Sequence, residues 1–375
     1  MADRIFNLPQ TRGSFEMAGK VTGTQRSNFY NEKETKSGAM RRVLSFGVQT
    51  SNENTFYVDL AGMPRDKVYF FRRADKDKGI EKDKKEVAWK DRLTYVAPEG
   101  YDMIGVKVGV TKKTNESGKV VNDNKTLTDF DAAKEISENL HDGDNVYVRG
   151  NIEYSTYNGK HQIRFVPTQV SLSSKEIDFD AEGFEECAQF VQTLVYTGCR
   201  KSEDDEVIID AKIVNYSSIE DAEFFIDYKK DAMNKAMADS IRKRLKPYTS
   251  FECHGNIVSQ QVVEDVNDAE DDLWGGNWNA KNKMKRQSTP VVRKLYIDVI
   301  NRESFDPNPK DKDAEPTYTE DNISEARAKI AANTQAKKDF DGKAAGNDNT
   351  DWWGDTKKMN SDIAPANEEE DDWGV

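Results

Sequence analysis

Aromatic and cationic residues recur side by side in the first 165 positions of the sequence. Arg26 precedes Phe29 and Tyr30, Arg41 and Arg42 open one alternating run, Tyr57 sits inside another, and Lys20 lies on an earlier one. Tyr147, Arg149, Tyr154, Tyr157, Lys160, His161 and Arg164 crowd into a single stretch. A flat ring offers a surface to a nucleobase, and an ammonium or guanidinium answers a phosphate. Together they are what sequence-tolerant binding of a single strand requires, at roughly 1–3 kcal/mol per stacked base. These residues are therefore the candidate nucleic-acid contacts. Tyrosine also favours strands for packing reasons alone, so Tyr57, Tyr154 and Tyr157 carry more weight as a group than singly. A second group of cations, Lys281, Lys283, Lys285 and Arg286, is a further candidate contact.

Catalytic patterns are missing. The three histidines, His141, His161 and His254, are scattered, and no HExxH, GxSxG or phosphate-loop pattern occurs. Cys187, Cys199 and Cys253 form no CxxC pair, which points to a reduced, cytoplasmic setting with neither a disulfide framework nor a zinc site. We expect no catalytic residue, no metal and no cofactor, hence not an enzyme. The N-terminal MADRIFNLPQTRG lacks the apolar centre of a signal peptide, and no apolar run reaches the length of a membrane span, so no membrane partner is expected.

The elements that must position these side chains read mostly as strands. GSFEMAGKVTGT from Gly13 places Phe15, Met17 and Val21 on one side and Glu16, Lys20 and Thr22 on the other. Leu44, Phe46 and Val48 alternate likewise, as do Phe56, Val58 and Leu60, with the polar SNEN between the two runs as a hairpin turn. The charged stretch ADKDKGIEKDKKEVAWKDR reads as an insertion or loop holding Trp89. Residues 127–140 read as a helix with Asp129 as the N-cap. Val146, Val148 and Ile152 then mark a strand, Asn158-Gly159 a hairpin turn, and residues 161–171 the returning strand.

The second half repeats this order. At an offset of 105, VYVRGNI from Val146 falls on FECHGNI from Phe251, and Ala133, Ile136 and Leu140 fall on Ala238, Ile241 and Leu245. At an offset of 175, Phe15 falls on Phe190 and VTGT on YTGC. The expected fold class is mainly β: two tandem five-stranded OB-type Greek-key barrels, each with a helix before its fourth strand, followed by a disordered acidic C-terminal tail. The expected boundaries are 1–175 for the first barrel, 176–302 for the second with a long insertion at 259–290, and 303–375 for linker and tail.

Charge is segregated between these parts. Residues 1–175 hold 29 Lys and Arg against 24 Asp and Glu; residues 176–375 hold 26 against 44, and the whole chain carries −13. The first half is thus mildly basic in a chain that is acidic overall, so net charge does not exclude a polyanionic ligand. The end of the chain is acidic with an apolar tip, Glu368, Glu369, Glu370, Asp371, Asp372 and Trp373, and Trp-Gly following Asp also recurs in the DDLWGG and TDWWGD segments. Such a tip suits docking into a basic partner groove, with Trp373 as the anchor.

The block GDNVYVRGNIEYSTYNGKHQIRFVPTQVSL resembles the fourth and fifth strands of bacterial and phage single-stranded DNA-binding proteins, and FEMAGKVTGT resembles their first strand. The closing DDWGV is similar in style to their acidic tails, though those end in Pro-Phe, and the bacterial protein has one barrel per chain. The resemblance implies single-stranded DNA as a partner, replication, recombination or repair proteins recruited through the tail, and a phage-like source; tetramer assembly does not carry over. A protein–protein scaffold on the same barrels, or an RNA-binding protein, are the competing readings.

Overall fold

The structure is a computed structural model that describes residues 4–35, 38–75, 77, 79–157, 160–202, 205–261, 291–308 and 314–342. Its first strands follow directly from the alternation in the sequence. Strand β1 (Gly13–Thr22) turns Phe15, Met17 and Val21 into the core; β2 (Tyr30–Glu34) lies at an edge; β3 (Met40–Gln49) and β4 (Thr55–Gly62) bury Leu44, Phe46, Val48, Phe56, Val58 and Leu60. The polar turn joins β3 to β4 in antiparallel register, Val48 opposite Phe56.

The charged stretch, expected as an insertion or loop, lies in an insertion with a small sheet of its own. Strands β5 (Lys67–Arg72), β6 (Asp83–Ala88) and β7 (Tyr101–Met103) pair in the order β6-β5-β7. They close a separate core of Val68, Phe70, Val87 and Tyr101, with Trp89, Tyr95, Ala97 and Met103 packed against it. Strand β8 (Val106–Gly109), the hairpin β9 (Lys112–Thr114) and β10 (Val120–Asn122), and β11 (Lys125–Leu127) follow. Helix α1 spans Asp129–Asn139, and its N-cap is Thr128 rather than the expected Asp129: the Thr128 hydroxyl accepts the Asp131 backbone N–H. The long strands β12 (Asn145–Tyr157) and β13 (Lys160–Leu172) complete the first half.

Five of these strands close a ring of pairings. Strand β1 pairs with β3 and β12, β3 with β4, and β12 with β13; β13 returns to β4 in parallel at Phe165 and Val58. At the centre, the Phe165 ring lies 5.0 Å from Phe15 and 6.1 Å from Phe56, edge to face. In the second half, β14 (Cys187–Lys201), β15 (Glu206–Val214), β16 (Ile219–Asp227), helix α2 (Ala232–Arg244), β17 (Ser250–Gln261) and β18 (Val291–Ile300) follow the same order. Their pairings close in the same way, with β16 and β18 parallel at Phe225 and Tyr296.

The repeat extends to single residues. Leu140 and Leu245 end their helices with the cap N–H on the carbonyls of Ile136 and Ile241. Phe15 lies opposite Gly150, and Phe190 opposite Gly255, each glycine at a shift in register. A Cβ at Gly150 would run into the Val166 carbonyl, and one at Gly255 into that of Tyr296. Only glycine leaves room for the neighbouring strand there. The halves meet through antiparallel β1 and β14, where the equivalent residues Phe15 and Phe190 face each other, as two-fold symmetry about that pair requires.

Sheet and core therefore run across residue 175, and each long hairpin crosses to the other half. From β12, the Thr156 hydroxyl donates to Glu220 at 2.8 Å, and the Tyr154 carbonyl accepts from Asn215 at 3.4 Å. In the opposite direction, the Ser259 N–H donates to Asn54 at 3.0 Å, and Arg293 donates to the Ile163 carbonyl at 2.8 Å. Within the expected linker and tail of 303–375, the Ala-rich stretch 323–340 reads as a short helix, and the structure has a helix there that packs on the rest of the chain. Helix α3 (Glu320–Gly342) follows Tyr318, and Tyr318, Ile323 and Ala326 are buried with Phe6, Leu8, Val195, Val214 and Ile219. The sequence there is polar overall, but its few apolar residues meet an apolar patch left by the N-terminal segment and the β15–β16 turn. Among the described residues, no helix is long and apolar enough to cross a membrane.

Candidate nucleic-acid interface

Alternation on β3 and β4 leaves Ser45, Gly47, Tyr57 and Asp59 on the outer side of the first ring. Gly47 faces Tyr57 across the strands, and Ser45 faces Asp59. Thr22 and Thr55 fill the space over Gly47, and the Tyr57 ring is part-exposed. The loop after β1 supplies what stands above it. Gly23, at φ +84°, turns the chain; the Arg26 N–H donates to the Gly23 carbonyl, and the Phe29 N–H to that of Arg26. Phe29 is buried, and its carbonyl accepts the Ser45 N–H at 2.8 Å, which ties the loop to β3. Phe29 is thus the loop's anchor in the core, a correction to its expected role as a contact.

The anchored loop holds the exposed Arg26 guanidinium 5.0 Å from the Tyr57 ring centroid. Arg26, Asn28, Ser45 and Tyr57 line an open recess of about 260 Å³. No carboxylate among the described residues pairs with Arg26. Arg293 from β18 crosses to the first half: it stacks 5.5 Å over the buried Phe165 ring, and its burial lowers its pKa against the raising influence of Asp59 and Tyr57. The sequence reading missed Asn28, Ser45 and Arg293. Ser45 was legible from the alternation on β3; Arg293 was not, because only the crossing of β18 onto the first half brings it to Phe165.

The other expected contacts are spread over different surroundings. Tyr154, expected to point outward, is 6% exposed, and its ring lies 6.4 Å from Phe224 of the second half. Burial holds its phenol well above the ordinary 10.0. It shares the parity of Val146, Val148 and Ile152, and β12 extends far enough for that parity to reach it. Tyr147 is half-buried, with its phenol pushed up to about 12, chiefly by burial and then by Glu16. Tyr30 is partly buried against the core, and its hydroxyl donates to Glu32. Arg42 pairs with Glu32 and stacks 3.7 Å over Phe130; Arg149 pairs with Glu16, and Arg164 with Glu153 and Asp59. These three guanidiniums are committed to carboxylates of the chain. Arg41 faces Lys33 across β2 and β3. Lys20 lies 5.3 Å over Phe179, and exposed His161 is bonded to Thr156. Tyr157 and Lys160 face each other at the end of the β12–β13 hairpin, and their side chains lie outside the described residues. So do Lys281, Lys283, Lys285, Arg286 and the tail residues Glu368 to Trp373.

The corresponding face of the second half neutralises itself. Arg200 pairs with Asp210 and Glu223, Lys212 with Asp221, Arg327 of α3 with Asp221 as well, and Lys294 with Glu206. Lys229 and Lys201 hold the Asp205 carboxyl down at about 2 by hydrogen bonding. Among the described residues, no group of His, Cys, Asp and Glu is arranged to hold a metal ion.

Residues 75–343 match the YorF protein family. The chain belongs to that family. The match runs from the inserted sheet into α3 and leaves Arg26 and Tyr57 outside it. No curated protein matches this YorF-family chain. Among solved structures, it is similar to the wild-type single-stranded DNA binding protein from Thermus aquaticus at 11% identity, covering 78% of this chain and 93% of that one, with a TM-score of 0.33. A deletion mutant of the Thermus aquaticus protein gives 10% identity, 78% and 94% coverage and the same TM-score. A superposition that loose fixes neither topology nor function, and both have to be argued from this chain's own geometry.

Proposed function

We propose that this protein binds single-stranded DNA without reading its sequence, on the outer face of the first ring. In this reading each ring is an OB-type Greek-key barrel, since an antiparallel meander, a helix before the fourth strand and a parallel closure between third and fifth strands are the ingredients of that fold. The observation that carries the proposal is the uncommitted Arg26 guanidinium over the part-exposed Tyr57 ring, beside the polar groups of Asn28 and Ser45. The ring is a stacking surface, the guanidinium a phosphate partner, and the amide and hydroxyl can hydrogen-bond to a base edge or a sugar. No group on this face is arranged for bond-breaking, so the protein is read as a binder that covers single strands in replication, recombination or repair. The acidic Glu368–Trp373 segment is read as the recruiting element for partner proteins, supported by the recurrence of Trp-Gly shortly after Asp in the sequence.

The test is the affinity of a fluorescently labelled oligo-dT for the protein and its Tyr57→Ala variant, by anisotropy. Loss of one stacked base at roughly 1–3 kcal/mol predicts a fall of about 5- to 150-fold. Arg26→Gln should weaken binding and lower the dependence on salt by about one phosphate contact. Unchanged affinity in both variants would remove the site.

A further inference from the structure

The inserted sheet has two sides with different composition. Its inner side is the closed core of Val68, Phe70, Val87 and Tyr101. Its outer side carries Tyr69 and Phe71, two residues apart on β5 and both part-exposed. Neither is needed to fill the core behind them. Side chains at that spacing on one strand stand about 7 Å apart, so each ring can receive one of two successive bases of a stretched strand. We propose that the outer face of β5 and β6 is a second stacking site for single-stranded DNA, extending the path that begins at Tyr57. The inference rests on the DNA-binding reading given above.

Charge and attachment support it. Lys84, opposite Phe71 on β6, lays its ammonium 3.9 Å over the Tyr69 ring and 5.9 Å from that of Phe71. A flexible lysine in that position can swing from ring to phosphate when a base arrives. Lys82 is exposed beside it. Of the two carboxylates on this face, Glu86 is held chiefly by Lys67 at 2.6 Å and lies 3.9 Å from Lys84, a long contact that an arriving phosphate can replace; the other is Asp102. The sheet is fixed in place: only residues 63–66 separate it from β4, the strand of Tyr57. Arg92 clamps Asp131 of α1 at 2.6 and 2.8 Å, Arg65 pairs with Asp129 at 3.2 Å, and Trp89 meets Phe130 edge-on at 6.0 Å. The platform is thus tethered to the strand of Tyr57 and clamped to α1.

The experiment compares oligo-dT of roughly 8 nucleotides, enough for one barrel face, with oligo-dT of about 30 nucleotides. It uses the full chain, the double variant Tyr69→Ala/Phe71→Ala, Lys84→Glu and Tyr57→Ala. The inference expects the double variant to lose about tenfold or more on the long strand and nothing on the short one, with Lys84→Glu falling the same way and Tyr57→Ala weakening both. Wild-type affinity of the double variant for the long strand overturns the inference and leaves the Tyr57 site standing; the outer rings would then serve a protein partner or none. Equal losses on both lengths also overturn it. Failure of the wild-type protein to bind either strand overturns the DNA-binding reading itself. If the double variant does not fold, exposed Lys84→Glu decides by the same criteria.

Discussion

Tyr57 and Tyr154 were indistinguishable as residue types, and their surroundings separate them. Tyr57 lies on the outer side of β4 under Arg26, whereas Tyr154 has a fully enclosed ring and a hydroxyl that finds no partner among the described residues. A buried hydroxyl without a hydrogen bond destabilises the folded state. Tyr154→Phe should therefore leave stability unchanged or raise it by up to about 1 kcal/mol in urea unfolding, with no change in oligo-dT affinity. Tyr154→Ala should lose about 3–5 kcal/mol, because it empties a site between the two halves. A loss of DNA affinity in a well-folded Tyr154→Phe protein would contradict this placement. The sequence contained the decisive sign: Tyr154 keeps the parity of Val146, Val148 and Ile152. The sequence reads as a strand through Tyr154; the error lies in grouping that residue with the outward hairpin instead of following its parity.

At the scale of elements, two features set stability. The glycines of the fourth strand in each half, Gly150 and Gly255, stand where a methyl group would strike a neighbouring carbonyl. Gly150→Ala and Gly255→Ala should each lose about 1–3 kcal/mol, by similar amounts, as overpacked sites do; thermal melts of both variants check this. The second feature is the clamp between the inserted sheet and α1. Burial alone would raise the Asp131 carboxyl, but the hydrogen bonds from Arg92 and Thr128 bring it below its ordinary 3.8. A carboxyl lowered in the folded state stabilises fully above the unfolded value and loses that contribution as pH falls through the lower one. The clamp should thus be complete above pH about 4 and loosen in stronger acid. Asp131→Asn should remove that acid-dependent step and lose about 1–3 kcal/mol at neutral pH. Matching acid-unfolding curves for the variant and the wild type would contradict it. The strands of both rings and both helices could be read from periodicity, since each buries one regular face. The inserted sheet could not: its strands are short, lysine-rich on the outside, and their buried inner residues are few, Val68, Phe70, Val87 and Tyr101.

For the whole molecule, the internal repeat was legible at residue level. Offsets of 105 and 175 located the equivalent residues that the β1–β14 pair and the two helix ends bring into symmetric positions. The way the halves fuse was not legible, because it depends on hairpins that cross from each half to the other, and it carries Arg293 across to the first half. The halves also divide the electrostatics. On the corresponding face of the second half, Arg200 and Lys212 are spent on carboxylates, while Arg26 of the first half has none among the described residues. A chain with a net charge of −13 can thus present a local site for a polyanion. The most direct test is an equilibrium titration of the wild-type protein with oligo-dT at two salt concentrations, with duplex DNA and single-stranded RNA of equal length alongside. The account predicts binding to oligo-dT that weakens as salt rises, at least tenfold tighter than to the duplex, whose paired and stacked bases offer no free face to Tyr57. Absence of single-strand binding at low salt, or equal affinity for the duplex, would contradict it.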